Sequence, residues 1–267
     1  MRYPKKALGQ HWLKDEKTLQ AIVASAGLSK DDTVLEIGPG TGLLTAHLLG
    51  KAGAVIAVEK DEQLANRLGI KIRDSRFYLH TADILEFDLT SLPAGYKVVA
   101  NIPFYLTGRL LKTLSESPNP PSKMVLLVQK EVADRICANP GQMSVLAVST
   151  QLYYRAQKGQ VVLAKLFMPP PKVDSQVVIL SERKNPLFPR TGLGNKEARQ
   201  YMRVVKTGFS SKRKKLRNSL AAGLGLSKDQ ADKYLKQVKI NGDLRAQSLS
   251  LADWHSLYMA FLSAKVL

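Results

Sequence analysis

The stretch Val34-Leu35-Glu36-Ile37, followed by Gly38-Pro39-Gly40-Thr41-Gly42 and then Leu43-Leu44-Thr45-Ala46-His47-Leu48-Leu49, constrains the fold of this chain most strongly. A short apolar run, a turn with three glycines and a second apolar run at helical spacing read as strand, turn and helix. A glycine turn at the carboxyl end of a parallel strand lets a ligand reach the backbone, because no Cβ stands in the way. Strand-like and helical runs alternate from Thr33 to about Arg183. That alternation predicts a predominantly parallel sheet with helices on both faces, a Rossmann-like α/β domain.

The spacing of the glycines narrows the ligand. A dinucleotide fingerprint beginning at Gly38 and Gly40 needs its third glycine at position 43, which is Leu43. The third glycine is instead Gly42, giving Glu-x-Gly-x-Gly-x-Gly, the pattern of S-adenosylmethionine (AdoMet) sites. The next apolar run, Ala54-Val55-Ile56-Ala57-Val58, ends at Glu59, a carboxylate able to accept two ribose hydroxyls. The run after it, Phe77-Tyr78-Leu79-His80, leads to Asp83, an acceptor for the adenine amine of the cofactor. Alone, Glu59 is equally well an ordinary solvated strand-end charge. Together the three strand ends carry a methionine-side turn, a ribose acceptor and an adenine acceptor in order.

A fourth strand, Val98-Val99-Ala100, runs into Asn101-Ile102-Pro103-Phe104. Standing alone, an Asn-Pro segment here is equally well an ordinary turn. Beside a candidate AdoMet site it has chemical content. The Asn101 amide oxygen and the Ile102 carbonyl can accept the two N–H bonds of a flipped adenine's exocyclic amine, Pro103 fixes the chain exit, and Phe104 offers a stacking face.

Four motifs extend the reading: Leu35-Glu36-Ile37-Gly38-Pro39-Gly40-Thr41-Gly42, Asn101-Ile102-Pro103-Phe104, Gln129-Lys130-Glu131-Val132-Ala133-Asp134-Arg135, and Pro169-Pro170-Pro171-Lys172-Val173-Asp174-Ser175. In order and spacing they resemble those of the ribosomal RNA adenine dimethyltransferases, and the resemblance covers nearly the whole chain. The opening Lys5-Lys6-Ala7-Leu8-Gly9-Gln10-His11-Trp12-Leu13 also looks like that family's first segment. The stretch Phe209-Ser210-Ser211-Lys212-Arg213-Lys214-Lys215-Leu216-Arg217-Asn218-Ser219-Leu220 is similar to the KsgA branch, which dimethylates two adjacent adenosines near the 3′ end of small-subunit rRNA. The resemblance implies a class I AdoMet-dependent methyltransferase domain followed by a small all-α domain. His11, Leu13, Gly38, Gly40, Glu59, Asp83 and Asn101 would then hold the cofactor, and Asn101 to Phe104 would hold the target base. Phe167 would cover the base from its other side, although a Phe before a proline run is more often core. His11 and Trp12 depart from the Asn and Phe most associated with the family's opening. A His there still donates to the cofactor, but only in one tautomer or when charged. Phe104 lacks the hydroxyl of the commoner Tyr and keeps the stacking face.

Composition agrees with a polyanionic partner. The 40 Lys and Arg against 22 Asp and Glu give a formal charge of +18, which favours phosphate contacts and counterion release. A membrane surface competes for such charge, but no strongly apolar stretch or basic amphipathic helix supports it. The basic N-terminal segment has no apolar run, which predicts no secretory leader and a cytoplasmic location. The single Cys137 and four scattered histidines offer neither an internal disulfide nor metal-ligand spacing, so no metal is expected.

Domain boundaries follow from a break rich in helix breakers at 185–194. The expected arrangement is a catalytic domain over 1–185, a linker over 186–195 and a helical RNA-docking domain over 196–267. In the last, Tyr201, Val205 and Phe209 line one helical face and Trp254, Leu257, Tyr258 and Phe261 another, with capping boxes at Ser227/Gln230 and Ser250/Asp253. Lys212, Arg213, Lys214, Lys215 and Arg217 form the candidate RNA-binding cluster; alone, such a run is as well read as a solvated face. The substrate expected is small-subunit rRNA within an assembly intermediate, met by a monomeric enzyme. The competing readings are a non-catalytic assembly or transcription factor of the same fold, a large-subunit rRNA or DNA adenine methyltransferase, and an oxidoreductase, which the missing glycine at 43 disfavours.

Overall fold

The computed structural model describes residues 10–188, 196–211 and 213–267. Lys212, residues 1–9 and most of the expected linker lie outside the described residues. The strands are β1 (Trp12–Leu13), β2 (Thr33–Ile37), β3 (Ala54–Glu59), β4 (Phe77–Thr81), β5 (Lys97–Asn101), β6 (Lys123–Gln129), β7 (Tyr154–Val162), β8 (Phe167–Met168) and β9 (Ser175–Glu182). The helices are α1 (Glu16–Ala26), α2 (Leu43–Lys51), α3 (Glu62–Lys71), α4 (Thr107–Glu116), α5 (Lys130–Ile136), α6 (Val145–Gln151), α7 (Lys196–Gly208), α8 (Leu216–Leu224), α9 (Lys228–Gln237) and α10 (Leu251–Ser263).

A seven-stranded sheet has the order β4-β3-β2-β5-β6-β9-β7. Its first five strands pair in parallel, and β9 runs antiparallel to β6. β2 and β5 are buried on both faces, with Val34, Leu35, Val98, Val99 and Ala100 all at zero exposure. Such a strand contributes roughly 1.5–3 kcal/mol per large apolar side chain removed from water. Strand order reverses at β2, which leads outward to β3 on one side and to β5 on the other. The carboxyl ends of β2 and β5 therefore flank a switch point, where open α/β sheets bind ligands. Register places the motifs there: Glu36 pairs with Val99, two residues before Gly38 and Asn101 respectively, and Glu59 pairs with Thr81, two residues before Asp83.

The chain divides into two compact units, residues 1–134 with 155–182 and residues 135–154 with 183–267. The second unit thus gathers residues from before the 185–194 break as well as after it. Residues 135–154, read from sequence as part of the first domain, pack with the C-terminal helices. Within that unit the Gln151 side-chain amide donates to the carbonyls of Ile136 and Ala138, and Arg183 Nε donates to the Gln151 carbonyl. Its core is aromatic: Tyr201, Trp254, Tyr258 and Phe261 are all buried, and Phe209 lies just beyond α7, its ring centroid 5.7 Å from that of Trp254. A Cβ at Gly208 would overlap the Trp254 ring, so only glycine permits that approach. Both capping boxes form as the sequence predicts. The final strand pair is β7 and β9, and a 3-10 turn at Ala164–Leu166 follows β7.

Candidate active site

The glycine turn owes its shape to three positive φ angles, 67° at Gly38, 56° at Gly40 and 79° at Gly42. Gly38 N–H donates to the Val58 carbonyl (2.9 Å) and Gly42 N–H to that of Pro39 (2.9 Å). A Cβ at Gly38 would project into open space, whereas one at Gly40 would come within 3.2 Å of Trp12 Nε1. The turn therefore leaves room for a ligand on one side and is covered by the Trp12 indole on the other.

Glu59 ties this turn to the next strand. Its Oε2 accepts from Gly40 N–H (3.1 Å) and its Oε1 from Asp61 N–H (2.9 Å). Burial pushes the carboxyl up, and those two N–H groups oppose the shift. Each oxygen keeps a lone pair for a further donor. At the β4 end, Asp83 Oδ1 accepts from Leu85 N–H (3.0 Å) and Oδ2 from Lys60 Nζ (2.7 Å). The Lys60 ammonium holds this carboxyl below its ordinary range, so it is an ionised acceptor.

At the β5 end, the Asn101 side-chain NH2 donates to the His11 carbonyl (3.0 Å). That commitment orients the amide, and Oδ1 is left as an acceptor without a donor among the described residues. Ile102 N–H donates to the Leu127 carbonyl (3.3 Å), while the carbonyls of Pro103 and Phe104 accept from Leu106 N–H and the Thr107 hydroxyl. The Ile102 carbonyl has no such partner among the described residues. The Phe104 ring stacks on His11 with centroids 5.7 Å apart and planes at 23°. His11 Nδ1 sits 2.7 Å from the Pro169 carbonyl. A proton on Nδ1 is required there, so a neutral His11 has no N–H left to give a cofactor. The expectation of donation in one neutral tautomer is corrected: only the charged ring has a second N–H.

A cavity of about 460 Å³ joins these ends. It is lined by His11, Gly38, Gly40, Glu59, Asp83 and Asn101 to Phe104 as expected, and also by Trp12, Lys60, Tyr105 and Arg109, which sequence reasoning gave no role. Leu13 and Phe167 do not line it. Both are buried in the apolar core, paired with each other across the short β1–β8 ladder. Phe167 as an outer cover for a base is therefore corrected to a core residue, the alternative that its place before a proline run had favoured.

Beneath the turn, Glu36 is 1% exposed, and neither carboxyl oxygen meets hydrogen-bond geometry with a neighbour. Burial pushes this carboxyl up to about 8 from 4.5, with the Thr45 hydroxyl pulling it down and Glu59 adding to the rise. The folded chain then binds a proton that the unfolded chain releases. Stability from this group is fully present below about pH 4.5 and is lost as pH rises through about 8, at up to about 1.4 kcal/mol per pH unit. Glu36→Gln is expected to flatten the fall in melting temperature between pH 6 and 9; an unchanged slope would place the titration elsewhere.

The C-terminal cluster divides. Arg217 pairs with Asp243 (2.9 Å) and Asp232 (3.9 Å), and Lys215 pairs with Asp243 (3.0 Å). Arg217 is half-buried and donates its backbone N–H to the Gly242 carbonyl, so the side chain the sequence offers for RNA is also an internal tie. Arg213 and Lys214 are exposed and carry no ion pair among the described residues.

The chain matches the family model described as "Ribosomal RNA adenine dimethylase" over residues 2–262. The Ribosomal RNA small subunit methyltransferase A of Thermosynechococcus vestitus is 41% identical over 261 residues, covering 95% of each chain. The protein of that name from Dehalococcoides mccartyi is 38% identical over 263 residues, 96% of this chain and 88% of the other. Among solved structures, a dimethyladenosine transferase from Plasmodium falciparum is similar with a TM-score of 0.82 and 26% identity, over 96% of this chain and 98% of that one. The 23S rRNA methyltransferase ErmE is similar with a TM-score of 0.75 and 27% identity, over 93% and 98%. With the glycine turn, the strand-end acids and the Asn101 amide gathered at one cavity, the chain belongs to the ribosomal RNA adenine dimethylase family.

Proposed function

We infer that this protein is an AdoMet-dependent rRNA adenine-N6 dimethyltransferase that modifies two adjacent adenosines near the 3′ end of small-subunit rRNA. The observation that carries the reading is the Asn101 amide, turned by the His11 carbonyl so that its oxygen is the free acceptor beside the glycine turn. The relatives named for the small subunit, at 38–41% identity, favour that substrate over the large subunit, whose ErmE enzyme stands at 27%.

The residues fit the cofactor, since a side chain at Gly38 would fill the space that a methionine moiety needs. Glu59 would accept from the ribose and the ionised Asp83 from the cofactor's adenine amine. Bound there, AdoMet supplies an electrophilic methyl group. The target adenine's exocyclic nitrogen is a poor nucleophile because its lone pair is delocalised into the ring. Acceptors at Asn101 Oδ1 and the Ile102 carbonyl favour a pyramidal amine whose lone pair is free to attack. Pro103 aims that carbonyl beforehand, so the contribution is preorganisation and not general-base catalysis. Phe104 takes the face of the base. After one transfer the amine retains one proton, and the site must accept a single hydrogen bond from it.

In this reading the enzyme works in the cytoplasm as a monomer on a small subunit still being assembled. No helix among the described residues is long and apolar enough to cross a membrane. Incubating labelled AdoMet with small subunits that lack the modification, then mapping the product by mass, tests the activity. Two adjacent dimethylated adenosines in small-subunit rRNA are expected; label in another RNA, in DNA or nowhere would sink it.

Docking is assigned to the helical unit, through Arg213 and Lys214. Arg213→Glu with Lys214→Glu should weaken subunit binding and reduce the log–log salt slope by somewhat less than about one unit per lost phosphate contact. AdoMet affinity should stay unchanged. A folded double variant with the parental slope would leave the segment as a solvated face.

A further inference from the structure

Tyr105 and Arg109 stand outside every role assigned above. Tyr105 directly follows the base-gripping tetrapeptide, in the 3-10 turn Phe104–Leu106 that runs into α4. Leu106 and Thr107 beside it are buried, which fixes the backbone, yet Tyr105 is 64% exposed while lining the cavity. An aromatic ring held at a cavity mouth with most of its surface in water gives up burial that a ligand can restore. Arg109 follows four residues later, a spacing that sets side chains on one side of a helical path. It lines the same cavity, is exposed, and has no ion-pair partner among the described residues.

A nucleotide taken out of its strand leaves the face of its neighbour uncovered. If adjacent adenosines are the substrate, that neighbour lies one backbone repeat from the cavity whenever either target is inside. An aromatic plane and an unpaired guanidinium at the rim match one nucleotide of single-stranded RNA, its base on the ring and its phosphate on the cation. We propose that Tyr105 and Arg109 form a subsite for the nucleotide next to the target adenosine, Tyr105 replacing the stack lost on flipping and Arg109 holding the linking phosphate. The proposal rests on the small-subunit dimethyltransferase reading. Each of the two adenosines presents a purine face when the other is the target, so one platform serves during both modifications.

The test uses the full protein and small subunits lacking the modification, together with subunits whose rRNA carries uridine in place of one of the two adenosines. Tyr105→Ala is expected to lower kcat/KM for unsubstituted subunits roughly tenfold, the range of one lost base–aromatic stack. Tyr105→Phe should retain the parental value, because the ring and not the hydroxyl is used. On uridine-substituted subunits, where the platform holds the poorer-stacking base, the Tyr105→Ala penalty should shrink. Arg109→Ala should lower the same ratio and reduce the salt slope by somewhat less than about one unit. AdoMet affinity and melting temperature should be parental throughout. Parental efficiency in Tyr105→Ala, equal loss in Tyr105→Phe, or an undiminished penalty with uridine would each overturn the subsite. Transfer by the unsubstituted protein is the internal control: its absence would reject the enzymatic reading, whereas its presence with an inert Tyr105→Ala would reject the subsite alone.

Discussion

Asn101→Ala is expected to lower single-turnover methyl transfer by roughly 10²-fold or more, at saturating AdoMet and subunits, as removal of a preorganised polar group does. The amide does two things at once. Its NH2 is spent on the His11 carbonyl at 3.0 Å, and that bond fixes where Oδ1 stands. Alanine removes the acceptor and leaves the His11 carbonyl without its donor. Asn101→Asp separates the two roles, because it keeps an acceptor for the adenine amine but sets a second acceptor against the His11 carbonyl. If the anchor matters, the Asp variant also loses rate; if only an acceptor is needed, it stays near the parental value. Saturating both substrates removes any loss of affinity from the measurement. Parental rates in Asn101→Ala would show that the amine is gripped by other groups.

The central site was legible because it sits at strand ends, and strand ends follow from alternation. Gly38, Glu59, Asp83 and Asn101 each close a short apolar run, and a parallel sheet in register brings such ends to one edge. Both capping boxes were legible for a similar reason, since the interaction is contained within four residues. What escaped the sequence depends on long-range packing. The β1–β8 ladder has two residues on each side, too few to leave a period, and it buries Leu13 and Phe167 where motif position suggested ligand contact. Residues 135–154 continue the alternation without a break, so nothing in their pattern marks that they pack with the later helices. A run of basic residues does not reveal which members have acids waiting: Asp243, nearly thirty residues after Lys215, takes both Lys215 and Arg217. Lys60 was passed over likewise, because its partner Asp83 lies on another strand end.

Glu59 is the residue whose replacement should most affect the cofactor. Its two oxygens accept the N–H groups of Gly40 and Asp61, so the side chain shapes the glycine turn, and in the proposed reading its remaining lone pairs receive the ribose hydroxyls. Glu59→Ala should therefore lose two ribose bonds to a charged group, on the order of 1.5–3 kcal/mol each before relaxation. Release of the Gly40 N–H adds to that loss. AdoMet affinity should fall by about a hundredfold or more. Glutamine is not a mild replacement here. It presents one oxygen and one NH2, and because both carboxylate oxygens already receive a backbone N–H, the NH2 must face one of those donors. Glu59→Gln should consequently approach the alanine variant in affinity, although it preserves size. The same two backbone bonds hold the ionised form against a burial that favours the neutral one, so affinity should also weaken as the pH falls through the raised carboxyl range. Calorimetric titration of AdoMet into the three proteins across pH checks this. A folded Glu59→Ala protein with parental affinity would remove Glu59 from the site, and a parental Glu59→Gln protein would show that its two backbone contacts are dispensable.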